Sequence, residues 1–112
     1  MAEQQNVPRT PEQLWAPIAK AERARRGVTE GTGFGRSDGL RVSGRIFAML
    51  VGGELVVKLP KARVDDLVGS QIATRFDAGK GRPMKEWASV PPSASRRWRA
   101  LVEEARTFVG SA

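Results

Sequence analysis

The stretch from Arg45 to Leu59 constrains this chain more than any other. Ile46 to Val51 is an unbroken run of six apolar residues, and Gly52-Gly53 follows it directly. Paired glycines tolerate φ > 0 at both central positions of a two-residue hairpin turn. Beyond them the pattern alternates, with Leu55, Val57 and Leu59 on one face and Val56 and Lys58 on the other, the period of a strand. Upstream, Leu40-Arg41-Val42 reads as a short strand and Ser43-Gly44 as a tight turn. These segments predict an antiparallel meander. Its central strand, Arg45 to Val51, is apolar on both sides, so something must cover the second face.

Helical signals flank this block. Thr10-Pro11-Glu12-Gln13 has the form of a capping box: Thr10 can accept the amide of Gln13, whose side chain can return the bond. Pro11 sits where its missing N–H costs nothing. Leu14, Ile18 and Ala21 fall on one stripe, with Trp15 and Ala19 beside it. Arg23, Arg25 and Arg26 then occupy the last turn before Gly27. Pro17 removes a backbone bond and predicts either a bend or a start nearer Trp15. Pro60 opens a short middle helix, with Val64, Leu67 and Val68 at helical spacing and Gly69 at its end. Gln71 to Phe76 reads as an edge strand, Asp77 to Met84 as a loop, and Lys85 to Val90 as a last strand closed by Pro91-Pro92. Ser93 is the expected cap of a C-terminal helix whose stripe is Trp98, Leu101, Val102, Ala105, Phe108 and Val109, with Arg99 and Glu103 paired on its wet side.

The expected fold class is therefore α+β: an antiparallel sheet of five to six strands packed with an N-terminal, a middle and a C-terminal helix. At 112 residues the length suits one domain. Residues 1–9 are polar and read as a disordered tail, leaving 10–112 as that domain.

The absence of Cys, His and Tyr excludes disulfide scaffolds, thiol nucleophiles, zinc sites built on Cys or His, and His-dependent catalytic triads. Asp65-Asp66 and Glu103-Glu104 are sequence neighbours on helices; adjacent residues diverge by about 100° around a helix, so neither pair converges on a substrate or metal, and both read as solvated faces. Gly31-Thr32-Gly33-Phe34-Gly35 lacks the spacing and the following helix of a dinucleotide loop. The chain reads as a non-enzyme, with no cofactor and no metal. No apolar run approaches the roughly 20 residues of a membrane span, and the N-terminus carries no apolar signal core, so a cytoplasmic protein with no membrane partner is expected.

Charge supplies the positive clue. The formal net charge is +7, and residues 71–99 hold seven bases against Asp77 and Glu86, a local +5. The glycine-containing loop Asp77 to Lys85 sets Lys80, Arg82 and Lys85 on backbone able to approach an anion, although its glycines serve turn geometry equally well. It is not a Walker A loop, because the glycine spacing is wrong and no Ser or Thr follows the Lys. Arg96, Arg97 and Arg99 flank Trp98 near a helix N-terminus, where cations oppose the macrodipole. Lys80, Arg82, Lys85, Arg96 and Arg97 are accordingly the candidate nucleic-acid or anion contacts. Trp98 belongs to the apolar stripe; Trp87 can be core or exposed.

Three groups of residues resemble the N-terminal domain family of TfoX. They are Gly33-Phe34-Gly35; Arg45-Ile46-Phe47-Ala48-Met49-Leu50 leading through Gly52-Gly53 to Leu55-Val56-Val57-Lys58; and Arg82-Pro83-Met84-Lys85-Glu86-Trp87 closing on Val90-Pro91. This TfoX/Sxy-like family is related in fold to the MmcQ/YjbR-like proteins, and the resemblance spans about Val28 to Val109. It implies an α+β fold, a part in transcription regulation alongside the cyclic-AMP receptor protein, and, by analogy with the YjbR-like group, DNA contact. It supplies no catalytic residues. The chain has no room for the second domain of full-length TfoX, so the competence role itself is not expected. The function expected is a regulatory domain contacting nucleic acid or a transcription regulator through a basic surface. The alternative is a protein-interaction module or homodimer with no nucleic-acid binding.

Overall fold

The computed structural model describes residues 9–31, 38–77, 81 and 83–111. The chain is α+β, with one six-stranded antiparallel sheet and three α-helices. Helix α1, Pro11–Arg23, begins as its sequence dictates: Gln13 N donates to Thr10 Oγ1 at 3.1 Å, and Thr10 N donates to Gln13 Oε1 at 2.9 Å. The helix runs through Pro17. Its buried positions are Trp15, Ile18, Ala19 and Glu22, whereas Ala21 is exposed and Leu14 only partly covered. The inward face is thus rotated from the expected stripe, and a carboxylate takes its last place. Arg25 and Arg26 lie beyond the helix end at Arg23; the reversal into the sheet is made by Gly27, with φ of +83°.

The strands are β1 (Val28–Glu30), β2 (Asp38–Val42), β3 (Arg45–Val51), β4 (Glu54–Lys58), β5 (Thr74–Arg75) and β6 (Trp87–Val90). Both hairpin turns adopt left-handed backbone at both central residues, Ser43 with Gly44 and Gly52 with Gly53, the twist that matches flanking antiparallel strands. The first four strands form the expected meander. The last two do not extend it: the order is β1-β2-β3-β4-β6-β5, so β6 inserts beside β4 and leaves the two-residue β5 on the edge. Alternation assigns a strand's faces but not its neighbour, and β6 carries the longer buried run of the pair.

Helix α2 (Lys61–Gly69) and helix α3 (Trp98–Gly110) share a single core with α1. That core takes Leu40, Val42, Leu50, Leu55, Val57, Ala88 and Val90 from the helical face of the sheet. Met49 and Val56, paired across β3 and β4, are equally buried but lie outside that cluster, on the opposite face. Trp98, Leu101, Val102, Ala105 and Val109 are buried, and Trp98 Nε1 donates to Pro91 O at 3.2 Å. Ser93 caps nothing; a kinked 3-10 segment, Pro92–Arg97, leads into α3 instead. Arg99 and Glu103 form no ion pair. Helix α2 ends at Gly69 as expected, and the left-handed residue of the turn that follows is Gln71, φ 63°.

Long-range ion pairs lock the helices. Glu22, only 3% exposed, accepts from Arg106 Nε of α3 at 2.7 Å, with Arg25 Nε 3.6 Å from its other oxygen. Arg63 of α2 reaches Glu104 of α3 with two nitrogens, at 2.9 and 3.1 Å, and Asp66 at 3.0 Å. The hydrogen bond to Glu104 is the leading reason its guanidinium pKa rises above the usual value. Asp65 binds Lys61 at 2.8 Å and also Arg75 of β5. Of the neighbouring carboxylates expected to be solvated faces, Asp65 and Glu104 instead tie separate elements together, whereas Asp66 and Glu103 are exposed as expected. The expected N-terminal tail falls outside the described residues apart from Arg9, as do residues 32–37, 78–80, 82 and 112.

Candidate functional site

One residue opens the sheet at the end where β3 begins. Leu40 pairs with Ala48 but Arg41 pairs with Ile46, which leaves Phe47 as an extra residue in β3. Such a bulge bends its strand and sharpens the twist. Both Phe47 and Ala48 consequently reach the helical core, each with no exposed surface. The ladder between β3 and β4 stops at Ala48 and Val57, while β2–β3 pairing continues to Arg45 and β4–β6 pairing to Lys58 and Trp87. Leu59 N donates to Glu86 O rather than to β3. The two halves of the sheet fork apart.

A cleft of about 420 Å3 occupies the fork, lined by Arg41, Arg45, Ile46, Lys58, Trp87 and Phe108 together with Glu86 and Val109. A second groove continues from it past Lys58, Glu86 and Trp87 to Lys61, Met84 and Lys85. Five cations thus border these two adjoining concavities, three on each with Lys58 shared, against Glu86 as the one lining carboxylate among the described residues. Lys58 Nζ stands 3.8 Å from Glu86 Oε1, a long and exposed contact, and 5.7 Å from the centre of the Trp87 ring. Arg41 is pre-oriented, since its Nε donates to Gly31 O and its Nη1 to Gly44 O, both at 3.0 Å. A guanidinium has five N–H donors, so three remain for an incoming acceptor. Arg45 and Lys85 are exposed, and no carboxylate among the described residues pairs with either. Lys61 is shared with Asp65.

Of the expected contact set, the described members Lys85, Arg96 and Arg97 fall at separate places in the fold. Lys85 lies at the fork, where β6 begins. Arg96 and Arg97 precede α3 at its N-terminus, and the same helix delivers Phe108 to the cleft eleven residues after Arg97, about 16 Å away at 1.5 Å per residue. Lys80 and Arg82 fall outside the described residues. Trp87 is half-buried on the sheet face opposite the helices, whereas Trp98 and Trp15 are core residues. Sequence reasoning misses Arg41, Arg45, Lys58 and Lys61 because they are scattered along the chain. Their common signal is position: each flanks a strand end that successive antiparallel reversals return to the same edge of the sheet.

Among the described residues no cluster of three or more potential ligands could hold a metal ion, and no helix is long and apolar enough to cross a membrane. No family model matches the chain. No curated protein shows significant similarity to it.

Proposed function

We propose that this protein is a non-enzymatic regulatory domain that contacts nucleic acid through the forked end of its sheet. The observation that carries the reading is the gathering of Arg41, Arg45, Lys58, Lys61 and Lys85 around two adjoining concavities that share Lys58, Trp87 and a single lining carboxylate. Fixed cations around a shared depression attract a polyanion and release its condensed counterions, so affinity falls steeply with salt. The likeness of Pro83-Met84-Lys85-Glu86-Trp87 and the β3–β4 hairpin to the TfoX N-terminal domain family supports a place in transcription regulation and a cytoplasmic setting. Self-association through an apolar patch draws less support: Met84 is the single large apolar side chain exposed among the described residues. The sheet edges, β1 and β5, have three and two residues, which is short for pairing with another copy.

Fluorescence anisotropy with labelled oligonucleotides across a salt series tests the reading. Binding at low salt should decline with a log–log slope of roughly 0.7 to 0.9 per phosphate contacted. Arg45→Glu with Lys85→Glu should abolish it, whereas Arg96→Glu with Arg97→Glu, at the far end of α3, should leave most of it intact. Absence of binding at the lowest salt, or greater loss from the second pair than the first, overturns the assignment.

A further inference from the structure

We infer that the fork takes single-stranded nucleic acid, with an unpaired base stacked on Trp87 and the flanking phosphates held by Arg45, Lys58 and Lys85; this rests on the polyanion reading above and names its ligand class. Shape supplies the first argument. Duplex is read by a convex element, a helix or a two-stranded ribbon, entering a major groove about 12 Å wide. Here the cations line a recess at strand ends, and the exposed face of α3 offers Arg99, Glu103 and Thr107, a single cation rather than a row of them. A recess receives something that protrudes, and on a nucleic acid the protruding group is a base turned out from its strand.

The aromatic surface supplies the second argument. Trp87 borders both concavities, and Phe108 lines the one within the fork. Concave basic surfaces with aromatic platforms bind single strands because every base has a π-face and every linkage a phosphate. In a duplex those faces are already stacked. Lys58 is the third element. Its ammonium lies over the Trp87 ring at the end of a flexible four-carbon stem, so an arriving base can take its place on the ring while the ammonium swings to the adjoining phosphate.

The test compares three ligands on the unaltered protein: a thymidine single strand, an abasic sugar-phosphate strand of the same length and phosphate number, and a duplex of the same total phosphate number. The thymidine strand should bind at least about 5-fold more tightly than the abasic one, since stacking of one base is worth about 5-fold to 150-fold in affinity. It should also bind more tightly than the duplex. Tryptophan fluorescence gives a separate readout. Trp15 and Trp98 are 5% and 0% exposed, so quenching on binding reports Trp87, and only the thymidine strand should produce it. Trp87→Ala should remove the preference over the abasic strand and Trp87→Phe should restore most of it. Equal affinity for thymidine and abasic strands, or tighter duplex binding, overturns the single-strand inference while leaving the polyanion reading standing. Failure of all three ligands to bind overturns both.

Discussion

Removing Arg106 should destabilise the fold far more than its place near the surface suggests. Glu22 is 3% exposed and sits on the buried face of α1, and its shortest polar contact is the 2.7 Å bond from Arg106 Nε. Taking away one partner of a buried ion pair leaves the other charge desolvated and uncompensated, at a cost of about 3–5 kcal/mol. Arg25, 3.6 Å away and half exposed, recovers part of that, and the 20% exposure of the Arg106 side chain lets in some water. The expected loss for Arg106→Ala is therefore near the lower bound, about 3 kcal/mol, or roughly 12 °C in Tm at about 4 °C per kcal/mol for a domain of this size. The double variant Glu22→Leu with Arg106→Leu should recover most of this, because replacing a whole buried pair with apolar groups is often neutral. Urea denaturation of wild type, both single variants and the double variant measures the cycle. A loss below about 1 kcal/mol for Arg106→Ala, or a double variant no better than the single one, refutes the account.

Two further effects follow from the helix ends and the ion pairs. Thr10→Ala removes the hydroxyl that accepts from Gln13 N, leaving the backbone N of residue 10 able to donate to Gln13 Oε1, and should cost about 1 kcal/mol, read as a lower urea midpoint with an unchanged m-value. The carboxyl of Asp65 is held below the ordinary aspartate range, first by its hydrogen bond from Lys61 and then by that from Arg75. A depressed folded-state pKa stabilises the native protein above the unfolded value, and that contribution disappears as pH falls through the lower one. Asp65→Asn should thus lower stability at neutral pH and flatten its decline below about pH 4, measured as urea midpoints against pH; an unchanged acid limb contradicts the assignment.

The legible parts of this molecule are those whose cause is local. The Thr10–Gln13 box, the Ser43-Gly44 and Gly52-Gly53 turns and the apolar stripe from Trp98 to Val109 each draw their geometry from residues within a few positions. Three features escape a reading of the sequence because their causes lie across the chain. Glu22 reads as an ordinary helix-surface acid until Arg106 arrives from 84 positions away. Gln71 to Phe76 reads as an edge strand and β5 is one, but the insertion of β6 between it and β4, out of chain order, is settled by competition for burial. The excess charge of residues 71–99 suggests one basic segment, yet β6 and the 3-10 segment separate Lys85 from Arg96 and Arg97. The cations that do gather come from four strand ends and the start of α2. Trp87 is ambiguous in sequence for a related reason: strand alternation assigns it to one side of the sheet without saying what covers that side.

Phe47 has a consequence for how such a cleft arises. Deleting that single codon would restore regular pairing between β2 and β3 and straighten β3, allowing its hydrogen bonds to β4 to run on past Ala48 and Val57. The helical core would lose one aromatic ring, and the recess between Arg45 and Lys58 would close to a flat ribbon. The presence of the recess in this architecture is therefore set by an insertion or deletion rather than by a substitution. Chains with all five basic residues intact but one position fewer in β3 should retain the fold and lose the groove.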